Sequence, residues 1–148
     1  MSEPTPSSSE GDTPSVIDAM APARVGMQVR HRRYVSYDHA HYAGNLVDGA
    51  YGVALFGDVA TEMCVRTDGD EGLFASYSTI EFLAPILAGD CIDVSATLVR
   101  VGRRSREMTF ALHVTARGNP GRGASAADLL TPPLLAVTAR GVVVVPAD

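Results

Sequence analysis

Hydrophobic and polar positions alternate along most of this chain and follow a helical period in one stretch only. Met27 to Tyr37 alternates loosely, as a strand with one wet face does. Four later stretches are strand-like: Leu73 to Phe82, Cys91 to Val101, Arg106 to Ala116, and the β-branched Leu134 to Val145. Between the first strand and these, the pattern predicts one helix over Asn45 to Arg66. Asn45 would cap it, with the Asp48 carboxylate in the first turn at the positive end of the helix dipole. Leu46 to Val65 spans ~30 Å at 1.5 Å per residue, enough to cross a small domain. Gly49, Gly52 and Gly57 inside it are poor helix formers. They predict a surface packed close against the helix backbone, such as a curved sheet would supply.

The segments between these elements read as turns at Asp68 to Gly72, Ala88 to Asp90 and Gly102 to Ser105, and as a Gly/Pro/Ala-rich excursion over Arg117 to Pro133. Residues 1–23, with Pro4, Pro6, Ser7 to Ser9, Gly11 and Pro14, read as a disordered tail, and residues 24–148 as one folded domain. One strand, a long helix and four more strands make an α+β domain with an antiparallel sheet around one central helix.

Composition narrows the function. The chain has 148 residues, 46% hydrophobic and 20% charged, which suits a single domain with a real core. No uncharged apolar run approaches the ~20 residues of a membrane span, and the acidic, Ser/Pro-rich opening reads as neither a signal nor a transit peptide. Two cysteines make neither a disulfide framework nor a structural zinc site. A soluble cytoplasmic protein is the expectation. Net charge is −5, which argues against nucleic acid as the main partner. Every basic residue is arginine, and Arg100, Arg103, Arg104 and Arg106 crowd one turn, as a phosphate-binding hairpin or a solvated tip would.

The helix carries the candidate chemistry. Its only charges between Leu46 and Val65 are Asp48, Asp58 and Glu62, so it reads as mostly buried. Asp58 and Glu62 stand four residues apart and share a face. Read without a local cation, such a pair raises the pKa of at least one member, which suits acid–base work or a cation site. Solvent at the helix end, or a distant arginine, would make the pair inert. The loop before the helix, with His39, His41, Tyr42 and Gly44, places donors beside the helix amides, which can hold a carbonyl oxygen becoming negative. His39 and His41 lack a third ligand, so no metal is expected.

Several segments resemble the hotdog fold of acyl-CoA enzymes: the His-Tyr-x-Gly-Asn loop, the long helix, and the turn Ala84-Pro85-Ile86-Leu87-Ala88-Gly89-Asp90. Within that fold the chain resembles the β-aminoacyl-CoA ammonia lyases most closely. Ala40 to Ala50, Gly57 to Glu62 and Tyr77 to Pro85 carry the likeness. The resemblance implies reversible loss of ammonia from a 3-aminobutyryl- or β-alanyl-CoA to the 2-enoyl-CoA, with coenzyme A as part of the substrate and no separate cofactor.

On that basis one of Glu62 and Asp58 is the base, with Glu62 preferred for its reach, and the other anchors the amino group. The amides of Gly49 and Ala50 would hold the thioester carbonyl. His41, Tyr42 and Asn45 would orient the site, Glu81 is a further candidate for the ammonium, and Arg103 and Arg104 would take the CoA phosphates. A homodimer at least, and a hexamer by resemblance, would cover the helix. The rival readings are a hotdog thioesterase, then a hydratase using Asp38 and His41, then a non-catalytic acyl-CoA-binding module.

Overall fold

A computed structural model describes residues 23–147. The expected tail lies outside the described residues except for Ala23, which packs against the core. Strand β1 (Gln28–Tyr34) leads through a short turn to β2 (Ala40–Tyr42) and β3 (Leu46–Val47), and then to helix α1 (Gly49–Asp68). Four strands follow: β4 (Leu73–Phe82), β5 (Cys91–Val101), β6 (Ser105–Gly118) and β7 (Ala127–Val144). The main sheet has the order β1-β5-β6-β7-β4 and is antiparallel throughout, while β2 and β3 pair separately.

Alternation explains which face the sheet turns to the helix. Ile92, Val94, Ala96 and Leu98 of β5 are buried, as are Met108, Phe110, Leu112 and Val114 of β6. They meet Leu55, Phe56, Val59, Ala60, Met63 and Cys64 of α1. Phe56 stacks on Phe110 with centroids 5.2 Å apart. Each large apolar side chain buried in this way stabilises the domain by about 1.5–3 kcal/mol.

The helix departs from expectation in two ways. It starts at Gly49, not Asn45, because Gly44 and Asn45 both adopt positive φ (74° and 62°), which no helix can include. Asp48 is the cap, and its Oδ1 accepts from Tyr51 N at 3.2 Å. Nor is the helix mostly buried in one chain: Ala54, Asp58, Thr61, Val65 and Arg66 are exposed. The close approach inferred from its glycines holds at Gly49 alone, and at Gly52 an added methyl would make ordinary contact. A Cβ on Gly49 would lie 2.9 Å from the Phe82 ring, and one on Gly52 would touch Leu112, Val137 and Ile86 at 3.5–3.7 Å. At Gly57 it would meet nothing within 4 Å.

The excursion over Arg117 to Pro133 is largely strand. Strands β6 and β7 continue pairing outward through Ala116↔Leu129, Arg117↔Asp128 and Gly118↔Ala127. Their ladder needs only each other there, so a composition poor in core residues still forms it. The turn at its tip is held by Arg122 and Asn119 on the Asp128 carboxylate.

Candidate functional site

The first turn of α1 opens into an apolar groove of about 510 Å³. One wall is the stretch Leu46 to Gly49 with Tyr42; the other is Phe82 with Ala84, Pro85 and Ile86. Backbone bonds fix the walls: Val47 N donates to Ile86 O at 2.9 Å, and Ala88 N to Asn45 O at 2.9 Å. The Gly49 and Ala50 amides have no carbonyl four residues back inside the helix, and both residues are exposed here. The helix dipole adds positive potential at this end. The groove is therefore an apolar channel with Gly49, the first residue of the helix, in its lining, a shape that suits an acyl thioester.

Asp58 and Glu62 share a face as expected, but they are not free of cations. Arg33 Nη2 lies 3.3 Å from Asp58 Oδ2, and Asp58 is more than half exposed. Glu62 takes His31 Nε2 on Oε1 at 3.0 Å and Arg66 Nε on Oε2 at 2.9 Å. The bond from Arg66, and then that from His31, holds the Glu62 carboxyl below its ordinary range despite some burial. The expectation of an uncompensated pair with a raised pKa is therefore corrected. Two causes lie behind it. Edge strand β1 turns alternate residues His31 and Arg33 onto the helix, a long-range juxtaposition that spacing does not reveal. Arg66 sits at i+4 from Glu62, a local signal that the sequence does carry.

Position along the helix matters as much as pairing. Asp58 is nine residues beyond Gly49 and Glu62 is thirteen, roughly 14 and 20 Å of helical rise. One chain therefore does not bring either carboxylate to the Gly49 and Ala50 amides. The arginine hairpin is farther still, at the opposite end of the 20-residue helix. There Arg106 is buried and bidentate on Asp68, at 3.0 and 2.7 Å, and donates to Gly102 O and Ser105 O. That use is structural, whereas Arg103 and Arg104 remain exposed beside a cleft of about 370 Å³.

The remaining candidates are distributed more simply. Tyr42 lines the groove, and His41 meets its ring edge-on at 4.5 Å. His39 lies on Tyr51 of the first helical turn at 4.3 Å, making it the loop histidine in contact with the helix. Asn45 holds the chain reversal through its positive φ. Glu81 is exposed on β4 beside Phe82, in register with Thr138. Cys64 is buried, and its thiol is pushed up to about 11, so it is no nucleophile. Among the described residues no cluster of three His, Cys, Asp or Glu side chains could hold a metal ion, and no helix is long and apolar enough to cross a membrane.

An antiparallel sheet curved around one helix, matched over residues 44–118 by the model of the Thioesterase superfamily, defines a hotdog protein. A hexameric hotdog fold thioesterase of Campylobacter jejuni shares that fold at 15% identity, over 77% of this chain and 79% of its own, with a TM-score of 0.64. Two other relatives are far closer in sequence. The 3-aminobutyryl-CoA ammonia lyase of Acetoanaerobium sticklandii is 45% identical over 114 residues, 77% of this chain and 90% of that protein. The structure of β-alanyl-CoA:ammonia lyase from Clostridium propionicum superposes with a TM-score of 0.78 at 37% identity, covering 82% of this chain and 87% of that one. The chain belongs to the β-aminoacyl-CoA ammonia lyase family of hotdog proteins.

Proposed function

We propose that this protein catalyses the reversible elimination of ammonia from a short-chain 3-aminoacyl-CoA, such as 3-aminobutyryl- or β-alanyl-CoA, to give the 2-enoyl-CoA. The observation that carries the reading is the 45% identity extending over nine-tenths of a named lyase of this specificity. The groove supports it: an acyl chain lies along Phe82 and Ile86, with its thioester oxygen on the Gly49 and Ala50 amides, where enolate-like charge develops. A carboxylate takes a proton from the carbon next to the thioester, and the electron pair left behind moves onto the thioester oxygen. As that pair returns to form the C=C bond, the C–N bond of the ammonium group breaks and ammonia leaves with the bonding pair.

Glu62 is assigned as base and Asp58 as the group that holds the ammonium. Held below its ordinary range by Arg66 and His31, Glu62 is ionised at neutral pH and accepts a proton as a weak base. Because one chain sets these acids roughly 14 and 20 Å along the helix from the amides, the site is assembled from neighbouring copies, in a homodimer at least and a hexamer by family. Glu81 is a further ligand for the ammonium. His41, Tyr42 and Asn45 position the substrate, and Arg103 and Arg104 take CoA phosphates. Coenzyme A enters with the substrate, no separate cofactor is required, and the cytoplasm is the expected compartment.

The test is incubation with crotonyl-CoA and ammonium. Loss of enoyl absorbance without free thiol is the expected result, whereas thiol release would instead make the protein a thioesterase. Amine release from 3-aminobutyryl-CoA that stays within a few-fold of wild type in Asp58→Asn or Glu62→Gln would sink the residue assignment.

A further inference from the structure

We infer that Arg117 is a positioning residue for this site, setting the acyl-groove wall through the Asp90 turn; the inference rests on the function proposed above. Arg117 lies on the outer part of β6, in the segment whose composition reads as a loop excursion. Its Nε and Nη2 donate to the two oxygens of Asp90 at 3.0 and 2.8 Å, and Nη2 also donates to Pro85 O at 2.8 Å. The Asp90 side chain is 1% exposed. Its Oδ2 also accepts from Leu87 N at 2.8 Å, so one buried carboxylate ties the guanidinium to the turn backbone.

That turn is the wall itself. Pro85 and Ile86 face the groove, and Ile86 O and Ala88 N bind Val47 and Asn45 on the far side. Asp90 O and Gly89 N close on Val35 at 2.8 and 2.7 Å, fixing the turn to the chain that leaves β1. Pulling Arg117 away therefore frees the Pro85 carbonyl and loosens the Pro85–Ile86 part of the wall relative to Gly49. Arg117 itself sits outside the groove, so it acts through Pro85 rather than on the substrate.

Arg117→Lys keeps a cation beside Asp90 but lacks the planar fork that spans both the carboxylate and Pro85 O. Addition of ammonium to crotonyl-CoA is measured well below the melting temperature, alongside the thermal midpoint. The expected result is a loss of about tenfold or more in kcat/KM, carried mainly by KM for the thioester. A second variant, Arg117→Met with Asp90→Asn, removes the buried charges together, so no orphan carboxylate unfolds the chain. It should show the same KM change. An active wild type matched within twofold by either folded variant overturns the inference alone. A wild type that fails to add ammonium, whether or not it releases thiol, overturns the functional reading, and the inference with it.

Discussion

His31 Nε2 and Glu62 Oε1 lie 3.0 Å apart across the seam between edge strand β1 and the helix. With Arg66 on the other oxygen, the carboxylate is held by two donors from two elements. This changes what the acid does at each pH. Because its folded pKa is depressed below 4.5, its contribution to stability is present above that value and is lost as pH falls through the folded one.

The wild type should therefore lose stability on acidification below pH 4.5 in part through this group, and Glu62→Gln should lose less. Glu62 is more than a third exposed, so the neutral-pH difference stays within about 1 kcal/mol. Thermal midpoints at pH 7 and pH 3 check it, with the gap between variant and wild type closing in acid. In kinetics, an acid limb of kcat/KM above pH 5 would remove Glu62 from the role of base.

Arg106 and Asp68 join the end of the helix to the β5–β6 hairpin, with side chains only 9% and 17% exposed. Breaking such a pair from one side leaves an uncompensated charge, so Arg106→Met should cost about 3 kcal/mol. For a chain of this size that is roughly 10 °C in Tm, readable by calorimetry. Arg103→Ala, on the same hairpin but exposed, should leave Tm nearly unchanged. If it binds CoA phosphate, the same variant raises KM for the thioester.

Gly49→Ala should separate stability from activity. The new methyl would press on a Phe82 ring that is 58% exposed and free to swing, so Tm should move little. The displaced ring narrows the groove at the thioester end, and kcat/KM should fall by about tenfold or more. Adding Phe82→Ala restores the space and should recover turnover with longer 2-enoyl chains. A Gly49→Ala enzyme with wild-type kinetics would mean that the substrate does not enter here.

Much of the fold was legible because alternation and turn chemistry are local. The β4 and β5 limits agree with the expected Leu73 to Phe82 and Cys91 to Val101, bounded by the turns after the helix and around Gly89. The helix start was misplaced because Asn45 and Asp48 are both good caps, and only the backbone angles at Gly44 and Asn45 decide between them. The outer β6–β7 ladder leaves no such pattern, since its residues satisfy one another and bury little.

The site was legible as residue types rather than as a constellation. The loop before the helix and the turn at Pro85 do meet around the first helical turn. The carboxylates and arginines lie elsewhere on the chain, and their partners on β1 are set by sheet register, which no short spacing encodes. Arg117 and Asp90 show the same limit: 27 residues separate two side chains that bond at 2.8 Å.

Gly57 supplies a gauge for whether a second copy covers this flank. On a flank washed by water, alanine at this position would simply stiffen the helix, raising stability by about 0.5–1 kcal/mol. In a molecule whose copies press their helices together there, the added methyl acts as a wedge. Within the chain the flank is open, with Ala54 and Thr61 exposed beside it, so Gly57→Ala should raise Tm; a smaller sedimenting particle with lower turnover would instead place a second copy on this face.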